Sequence, residues 1–382
     1  GRDLRFAGQL EVWFKDGTSK VISSDESWSY YDDGPFRSAD NFIGVTYDLN
    51  KEVDGWMMPD FDQSAWPGVV SEDLDIEILE PQMDQGIEAI KILDPVSVEK
   101  RDDEIVIVDM GQNMVGWLML TVKGEAGDTL VLKHAEMLDA NGLAYRDNLR
   151  NAPQTDTYIL KDDKTHSVEP LFTFHGFRYV QIEGLRDLNS LSNIKGKVLV
   201  SATPESGYFE CSNPMLNKLF ENIRWTQWGN QLSIPTDCPQ RSERMGWMGD
   251  AQVFAQTAIY NHDMAAFYTK WGEDIMDAQF ETGEFSDVSP RGMPLEPRFI
   301  NAPGWADAGL IIPFRLFENY GDTDIIKKHY ASMKKYVDRI HELNPELIYL
   351  KGTGHAYNDW LNGNTIISDD YPKTGGEIPR AV

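Results

Sequence analysis

The sequence predicts an all-β N-terminal part followed by an all-α C-terminal part, with the change of character near residue 205. Before that point, short runs rich in β-branched and aromatic residues alternate with Gly, Pro and Asp turn signals. After it, apolar residues recur at helix spacing behind an Asn-Pro start signal. A further observation concerns loops. The helical part carries connections at 281–303 and 352–379 that are rich in Trp, Asp and Asn and longer than helix packing needs, which predicts a functional rim.

The elements follow in order. Residues 10–15 and 20–23 flank Asp16-Gly17, the signature of a β-hairpin. Runs at 105–108, 117–122, 129–134, 157–160 and 178–183 continue the β pattern through Gly-rich connections such as 123–128, and a β-sandwich architecture accommodates them. The acidic stretch 72–77, with Pro81 and Pro95 beyond it, places a boundary near 75–95 and divides the β part into domains 1–80 and 81–204. In the third domain, 205–382, Asn213 and Pro214 supply an N-cap and a first-turn proline for Leu216, Leu219, Phe220, Ile223 and Gln227. Further helices are expected at 249–260, 263–280, 307–320 with a kink at Pro313, and 323–343. No internal repeat is evident.

Composition narrows the function. With 35 Lys and Arg against 62 Asp and Glu, the net charge of −27 opposes binding to nucleic acid or an anionic membrane surface. No apolar run approaches the length of a membrane span, and the start Gly1-Arg2-Asp3-Leu4 lacks signal-peptide architecture, so the compartment is not readable. Cys211 and Cys238 exclude a disulfide scaffold, carry no paired metal-ligand spacing, and leave at most one bridge between them. No cofactor or metal is expected. Eleven Trp and fifteen Tyr are many for the length; most belong in cores, but flat aromatic faces also pack on the C–H faces of sugars.

The densest chemistry lies at 236–250, where Asp237, Glu243 and Asp250 stand with Arg241, Arg244 and Trp247 among prolines and glycines. Pro235 and Pro239 disfavour helix around Asp237, and Gly246 and Gly249 are expected to allow a second turn before the apolar run 251–260, so this group should form a loop leading into a helix. A solvated loop of ion pairs has no use for Trp247 and two methionines beside its acids.

Asp237-Cys238-Pro239-Gln240-Arg241-Ser242-Glu243-Arg244-Met245-Gly246-Trp247-Met248-Gly249-Asp250-Ala251 resembles the signature D-C-P-x-R-x-E-R-x-G-W-x-G-D-A of the α-L-rhamnosidases of glycoside hydrolase family 78. Asp109-Met110-Gly111-Gln112-Asn113-Met114-Val115-Gly116-Trp117, Phe172-Thr173-Phe174-His175-Gly176-Phe177-Arg178-Tyr179 and Gly304-Trp305-Ala306-Asp307-Ala308 are similar to further family motifs in family order. The resemblance is strongest from about residue 80 onward. It implies β-sandwich domains, the second concanavalin-like, followed by an (α/α)6-barrel catalytic domain that hydrolyses terminal α-L-rhamnose with inversion.

By resemblance, Glu243 is the general acid that protonates the leaving glycosidic oxygen. Asp237 and Asp250 would stay ionised, accept hydrogen bonds from sugar hydroxyls and raise the affinity of Glu243 for its proton. Arg241 would bond ring hydroxyls or hold Asp237; Arg244 reads more readily as a structural ion pair. Trp247, Trp305 and Trp360 resemble the aromatic wall around rhamnose. Asp307 and His355 are lesser candidates, since an early-helix Asp or a lone His is commonly a cap or a satisfied structural group. The motifs around Asp109 and Phe172 read as structural, His175 and Arg178 as interface packing, and His134 with Glu136 lacks the further ligands of a metal site.

An (α/α)6 barrel needs twelve helices, and 205–382 supplies about five or six, so the chain is expected to hold about the first half of the barrel. The general base of the family lies downstream of the matched motifs, and none of Glu284, Glu296 or Glu377 takes its place. The remainder of the same polypeptide, or a second copy, is expected to cover the helix faces left open. Alternatives are a carbohydrate-binding fragment without the base and an (α/α)6 glycosidase for another sugar.

Overall fold

The first hairpin forms where Asp16-Gly17 predicts it. In the computed structural model, which describes residues 5–72, 79–101, 105–184, 190–291, 299–355 and 357, β1 (Gln9–Trp13) pairs antiparallel with β2 (Ser19–Ser23). Asp16 accepts hydrogen bonds from the Thr18 amide and hydroxyl, and Gly17 supplies the φ of +86° at the turn.

Ten strands then share one sheet system: β3 (Phe36–Asp40), β4 (Gly44–Asp48), β5 (Ile87–Leu93), β6 (Ser97–Lys100), β7 (Ile105–Lys123), β8 (Thr129–Ala135), β9 (Thr155–Ile159), β10 (Thr165–Val168), β11 (His175–Glu183) and β12 (Leu191–Ser201). Their order is β3-β4-β9-β8-β11-β7-β12-β5, with β6 and β10 also paired to β7. β4 runs parallel to β9, so strands from both sides of the expected 75–95 boundary hydrogen-bond in the same sheet.

The separate runs expected at 105–108 and 117–122 are one 19-residue strand, β7. Between them the register against β11 jumps from Phe177 opposite Met114 to Tyr179 opposite Asp109, leaving 110–113 bulged across from Arg178. Asp109 grips the Arg178 guanidinium with two bonds of 2.8 and 2.9 Å, and Gly111 takes a φ of +71° at the bulge. The bulge breaks the period-2 pattern, which hides the strand's continuity from the sequence. Val106, Val108, Leu118, Leu120 and Val122 of β7 join Leu130, Leu132, Phe177, Val180 and Ile182 in the main β core.

β13 (Gln231–Leu232) and β14 (Ile234–Pro235) lie within the helical part. Its helices are α1 (Pro214–Gly229), α2 (Met248–Asn261), α3 (Ala265–Asp277), α4 (Ala308–Tyr320) and α5 (Thr323–Leu343). Asn213 caps α1 by accepting from the Met215 amide, and Asp322 caps α5 by accepting from Asp324 and Ile325. α3 is shorter than the expected 263–280. α4 runs on through Pro313, whose missing amide forfeits the helical bond to the Gly309 carbonyl. α4 packs against α2, α3 and α5 around Phe267, Tyr268, Trp271, Phe285, Ile312 and Tyr336. Among the described residues no helix is long and apolar enough to cross a membrane.

The two halves meet closely. Val115, Leu199 and Leu232 form a small shared core with Trp117 and Phe174. On β11, Gly176 lies so near the loop after β14 that a Cβ there would sit 2.9 Å from Gln240 Cβ and 3.0 Å from Pro239.

Candidate active site

Residues 236–247 form the expected loop between β14 and α2. The Asp237 amide donates to the Met245 carbonyl at 3.0 Å and the Met245 amide to Asp237 Oδ1 at 2.9 Å, closing the loop's base and presenting Arg241 and Glu243 between them. The glycines work differently from expectation. They serve close approach, not a second turn: a Cβ on Gly246 would meet the Ser289 carbonyl oxygen at 2.0 Å, and one on Gly249 would meet the Trp305 ring at 2.7 Å.

Glu243 is the hub. Its Oε2 accepts from Arg150 Nη1 at 2.7 Å and from Arg241 Nε at 3.0 Å, and its Oε1 accepts from Trp247 Nε1 at 3.1 Å. Arg241 also reaches Asp237 Oδ2 at 3.6 Å, so it bridges two acids. Burial pushes the Asp237 carboxyl above the ordinary carboxylate value, against hydrogen bonds from Cys238 and the Met245 amide, and the charge of Glu243 pushes the same way. Asp250 is exposed in the first turn of α2, yet the protein wall around it raises its carboxyl too, again with Glu243 adding. The repulsion expected among the three acids therefore acts on Asp237 and Asp250, behind desolvation.

Aromatic rings flank this hub. Trp247 stands edge-on to Phe299 (5.4 Å between centroids, 90°) and to Tyr357 (6.0 Å, 81°), while Trp305 lies 4.4 Å from Tyr357 at 40°. His355 also packs on Tyr357, at 4.8 Å. Trp360 lies outside the described residues. Asp307 is occupied structurally, accepting from the Gly304 amide at 2.8 Å and from the Tyr336 hydroxyl at 3.0 Å.

Among the described residues Arg244 has no carboxylate partner. The residue is 7 % exposed, and its guanidinium donates to the carbonyls of Asn41, Phe174 and Gln240 and to Gln154 Oε1, between the rings of Phe42 and Phe174. Burial lowers its pKa to about 10. It ties the loop to the β half, as do the bonds from the Ser242 amide to the Leu149 carbonyl and from the Asn151 amide to Ser242 Oγ.

Residues that the sequence reading missed stand here as well. Arg150 comes from a β-half loop 93 residues before Glu243, and nothing in the sequence marks it. Asp287 is fully buried, accepting from the Ala302 amide at 2.8 Å and the Tyr357 hydroxyl at 3.3 Å; burial raises its pKa to about 7. A lone acid inside Phe285-Ser286-Asp287-Val288-Ser289-Pro290 was the available signal.

Among the described residues two groups hold metal-ligating atoms within 4.8 Å: Asp237, Cys238 and Glu243 in the loop, and His134, Asp156 and His175 in the β core. Neither donor set suits a metal. Burial pushes the Cys238 thiol up to about 12, against the thiolate a metal needs, and Glu243 is taken by cationic donors. In the core, Asp156 already accepts from the Val45 amide and from His175 Nε2. His134 Nδ1 bonds the Gln154 carbonyl at 3.1 Å, with His175 stacked on its ring and Asp156 at 3.9 Å, both on neighbouring strands, while Glu136 binds Asn113. Cys211 and Cys238 are both free thiols.

Three consecutive family profiles match the chain: an alpha-L-rhamnosidase N-terminal domain at 1–91, a bacterial alpha-L-rhamnosidase concanavalin-like domain at 99–200, and a bacterial alpha-L-rhamnosidase 6 hairpin glycosidase domain at 204–377. The chain belongs to the bacterial α-L-rhamnosidase family. An alpha-L-rhamnosidase of Streptomyces avermitilis is 42 % identical over 366 residues, 96 % of this chain and 34 % of the relative. One of Formosa agariphila is 37 % identical over 370 residues, covering 96 % of this chain and 38 % of the relative. The chain thus spans about a third of the length of these curated relatives. The crystal structure of the Streptomyces avermitilis alpha-L-rhamnosidase complexed with L-rhamnose superposes with a TM-score of 0.87 at 41 % identity, over 96 % of this chain and 35 % of that one. The alpha-L-rhamnosidase structure from Dictyoglumus thermophilum gives 0.83 at 40 % identity, over 89 % and 38 %. These rhamnosidases share the order found here, β-rich domains followed by a helical domain.

Proposed function

We propose that this protein hydrolyses terminal non-reducing α-L-rhamnose from rhamnosides with inversion, Glu243 acting as general acid. The observation that carries the reading is the position of Glu243: the hub of a loop where Asp237 and Arg241, with Asp250 at the start of α2, offer hydrogen-bonding groups for hydroxyls, beside rings that suit a deoxy sugar. As the C1–O bond breaks, the departing oxygen needs a proton, and a carboxyl group at this point delivers it. Rhamnose carries a methyl where most hexoses carry a hydroxymethyl group, and an apolar wall from Trp247 and Trp305 favours it by roughly 1 to 3 kcal/mol.

Inversion requires a second carboxylate about 6.5–9.5 Å from the acid to activate water. None of the described residues is assigned that role. Glu284 is unsuited, being 1 % exposed and bound to Arg339 at 2.8 Å and to the Thr282 hydroxyl; Glu296 and Glu377 lie outside the described residues. We place the base in polypeptide beyond this chain, along with the helices that complete an (α/α)6 barrel begun by α1–α5. Large apolar side chains left open on α2 and α4, Val253 (75 % exposed), Tyr260 (67 %) and Phe314 (50 %), support such a covering layer. The domain division 1–80, 81–204 and 205–382 belongs to the same proposal, the parallel pairing of β4 with β9 fastening the first unit to the second.

Intact mass and turnover of p-nitrophenyl α-L-rhamnoside, measured on one purified sample, test this. Turnover confined to a species heavier than 43.4 kDa supports the reading, and turnover by the 43.4 kDa chain itself moves the base into this sequence. L-Rhamnose binding without turnover by any species would leave a carbohydrate-binding role. Turnover of other glycosides in preference would indicate another sugar.

A further inference from the structure

Asp287 is 0 % exposed, and each of its four polar atoms holds a different support of the aromatic wall. Its carbonyl oxygen accepts at 2.9 Å from the amide of Met248, next in the chain to Trp247. Its amide donates at 3.2 Å to the carbonyl of Phe299, whose ring stands edge-on to Trp247. Oδ1 accepts from the Ala302 amide at 2.8 Å, and the Ala302 carbonyl in turn accepts from the Trp305 amide at 3.0 Å. Oδ2 accepts at 3.3 Å from the hydroxyl of Tyr357, the ring that lies against both tryptophans. A carboxyl group taken this far from water destabilises a fold unless its bonds offset the loss, and an apolar residue would fill a purely structural gap better. Here every bond ends on a segment that carries or supports a ring of the wall.

The placement of a wall decides what it selects. L-Rhamnose and L-mannose differ only at C6, a methyl in one and a hydroxymethyl group in the other. Rings set close around the methyl leave an added hydroxyl without a partner, and rings that stand looser give that hydroxyl room to keep its water. We propose that Asp287 and Tyr357 are positioning residues that act through Trp247 and Trp305 and set the preference for the 6-deoxy sugar. The inference rests on the rhamnosidase reading and deepens it. Tyr357 is the shared element: its ring lies 4.4 Å from that of Trp305 and 6.0 Å from that of Trp247, so a shift of one hydroxyl anchor reaches both. Gly249 closes the arrangement from the other side, since a Cβ there would meet the Trp305 ring at 2.7 Å and push it away from the first turn of α2. Neither Asp287 nor Tyr357 is assigned a contact with the reacting atoms.

The test uses the whole protein that carries this chain, with p-nitrophenyl α-L-rhamnoside and p-nitrophenyl α-L-mannoside. The wild type is expected to prefer the rhamnoside by about tenfold to a hundredfold in kcat/KM. Tyr357→Phe, which removes one hydroxyl and keeps the ring, should raise KM for the rhamnoside about threefold to tenfold with kcat held within about twofold, and should narrow the preference. Asp287→Ala should narrow it further, while Asp287→Asn, which keeps an oxygen for the Ala302 amide and a polar group beside the Tyr357 hydroxyl, should restore most of it. If Asp287→Ala does not fold, Tyr357→Phe and Asp287→Asn decide the matter. A lower melting temperature in Tyr357→Phe with KM and the preference both unchanged would make the pair structural and overturn the inference, as would a fall in kcat alone. Equal rates of the wild type on the two glycosides overturn it while leaving the rhamnosidase reading intact. Failure of the wild type to turn over the rhamnoside overturns both.

Discussion

The β core and the loop of the candidate site each gather acids and bases within a few ångströms, in opposite settings. In the β core His134, Asp156 and His175 are sealed from water; Asp156 is satisfied by His175 and the Val45 amide, and desolvation first, then the charge of His175, lowers His134 to about 3, so it stays neutral. At the candidate site, Asp237 is largely buried and Glu243 and Arg241 are partly open, while Arg150 and Asp250 reach solvent, with aromatic rings alongside. Chemistry-bearing side chains in a cluster are common to both. Access, aromatic walls and donors aimed at an open side separate a site from a structural network.

The comparison can be broken first at Glu243. Replacing it with Gln should lower kcat on rhamnosides with poor leaving groups by about a hundredfold to ten-thousandfold, much less on an activated aryl rhamnoside, and leave the melting temperature nearly unchanged. Small, equal losses on both substrates would remove it from the acid role. The mirror experiment is Asp156→Ala, which strands His175 in the core. A loss of about 3 to 5 kcal/mol of stability is expected by denaturant titration, with activity per folded molecule changing far less; a fall in activity without a fall in stability would make the sealed cluster functional.

Acidity sharpens the contrast further. Asp287 binds its proton more tightly folded, with a pKa of about 7 against 3.8, so its region loses stability as pH rises from about 4 to 7, by on the order of 2 to 4 kcal/mol. His134 titrates near 3 folded against 6.5 unfolded, so the β core loses stability as pH falls through that window. Hydrogen exchange resolved by segment should show these opposite slopes, and Asp287→Asn should flatten the first. Slopes of the same sign in both regions would contradict the burial of one of these groups. The smallest effect is expected for Trp247→Ala, a loss of about 1 to 2 kcal/mol in L-rhamnose binding by calorimetry with the fold retained; unchanged affinity would make that ring structural.

Periodic elements were legible in the sequence. The Asp16-Gly17 hairpin, the Asn213 cap and α5 all form where local signals place them, because capping and turn chemistry act over a few residues. β7 was not legible as one strand, since its bulge at 110–113 interrupts the alternation that identifies strands. In the site, the loop 236–247 with Asp237 and Glu243, and Asp250 just beyond it, could be read, as could the family. Arg150 could not, because the contact that defines it spans two halves of the chain with no local pattern on either side. Arg244 was misread for a related reason: its acceptors are backbone carbonyls, which no residue type in the sequence announces.

That clamp bears on how the family's modules can be rearranged. Secondary structure changes near residue 205, which invites excision of the helical part as a free-standing catalytic unit. Arg244 would then lose the Asn41 and Phe174 carbonyls, Gln154 and both its aromatic faces, while Glu243 would lose Arg150. Of the acceptors it has among the described residues only the Gln240 carbonyl would remain, so the guanidinium would no longer be held in one place. Recombination at this junction is therefore constrained: a helical part grafted onto a foreign β-sandwich would inherit Glu243 but neither the anchor nor the guanidinium that steady it.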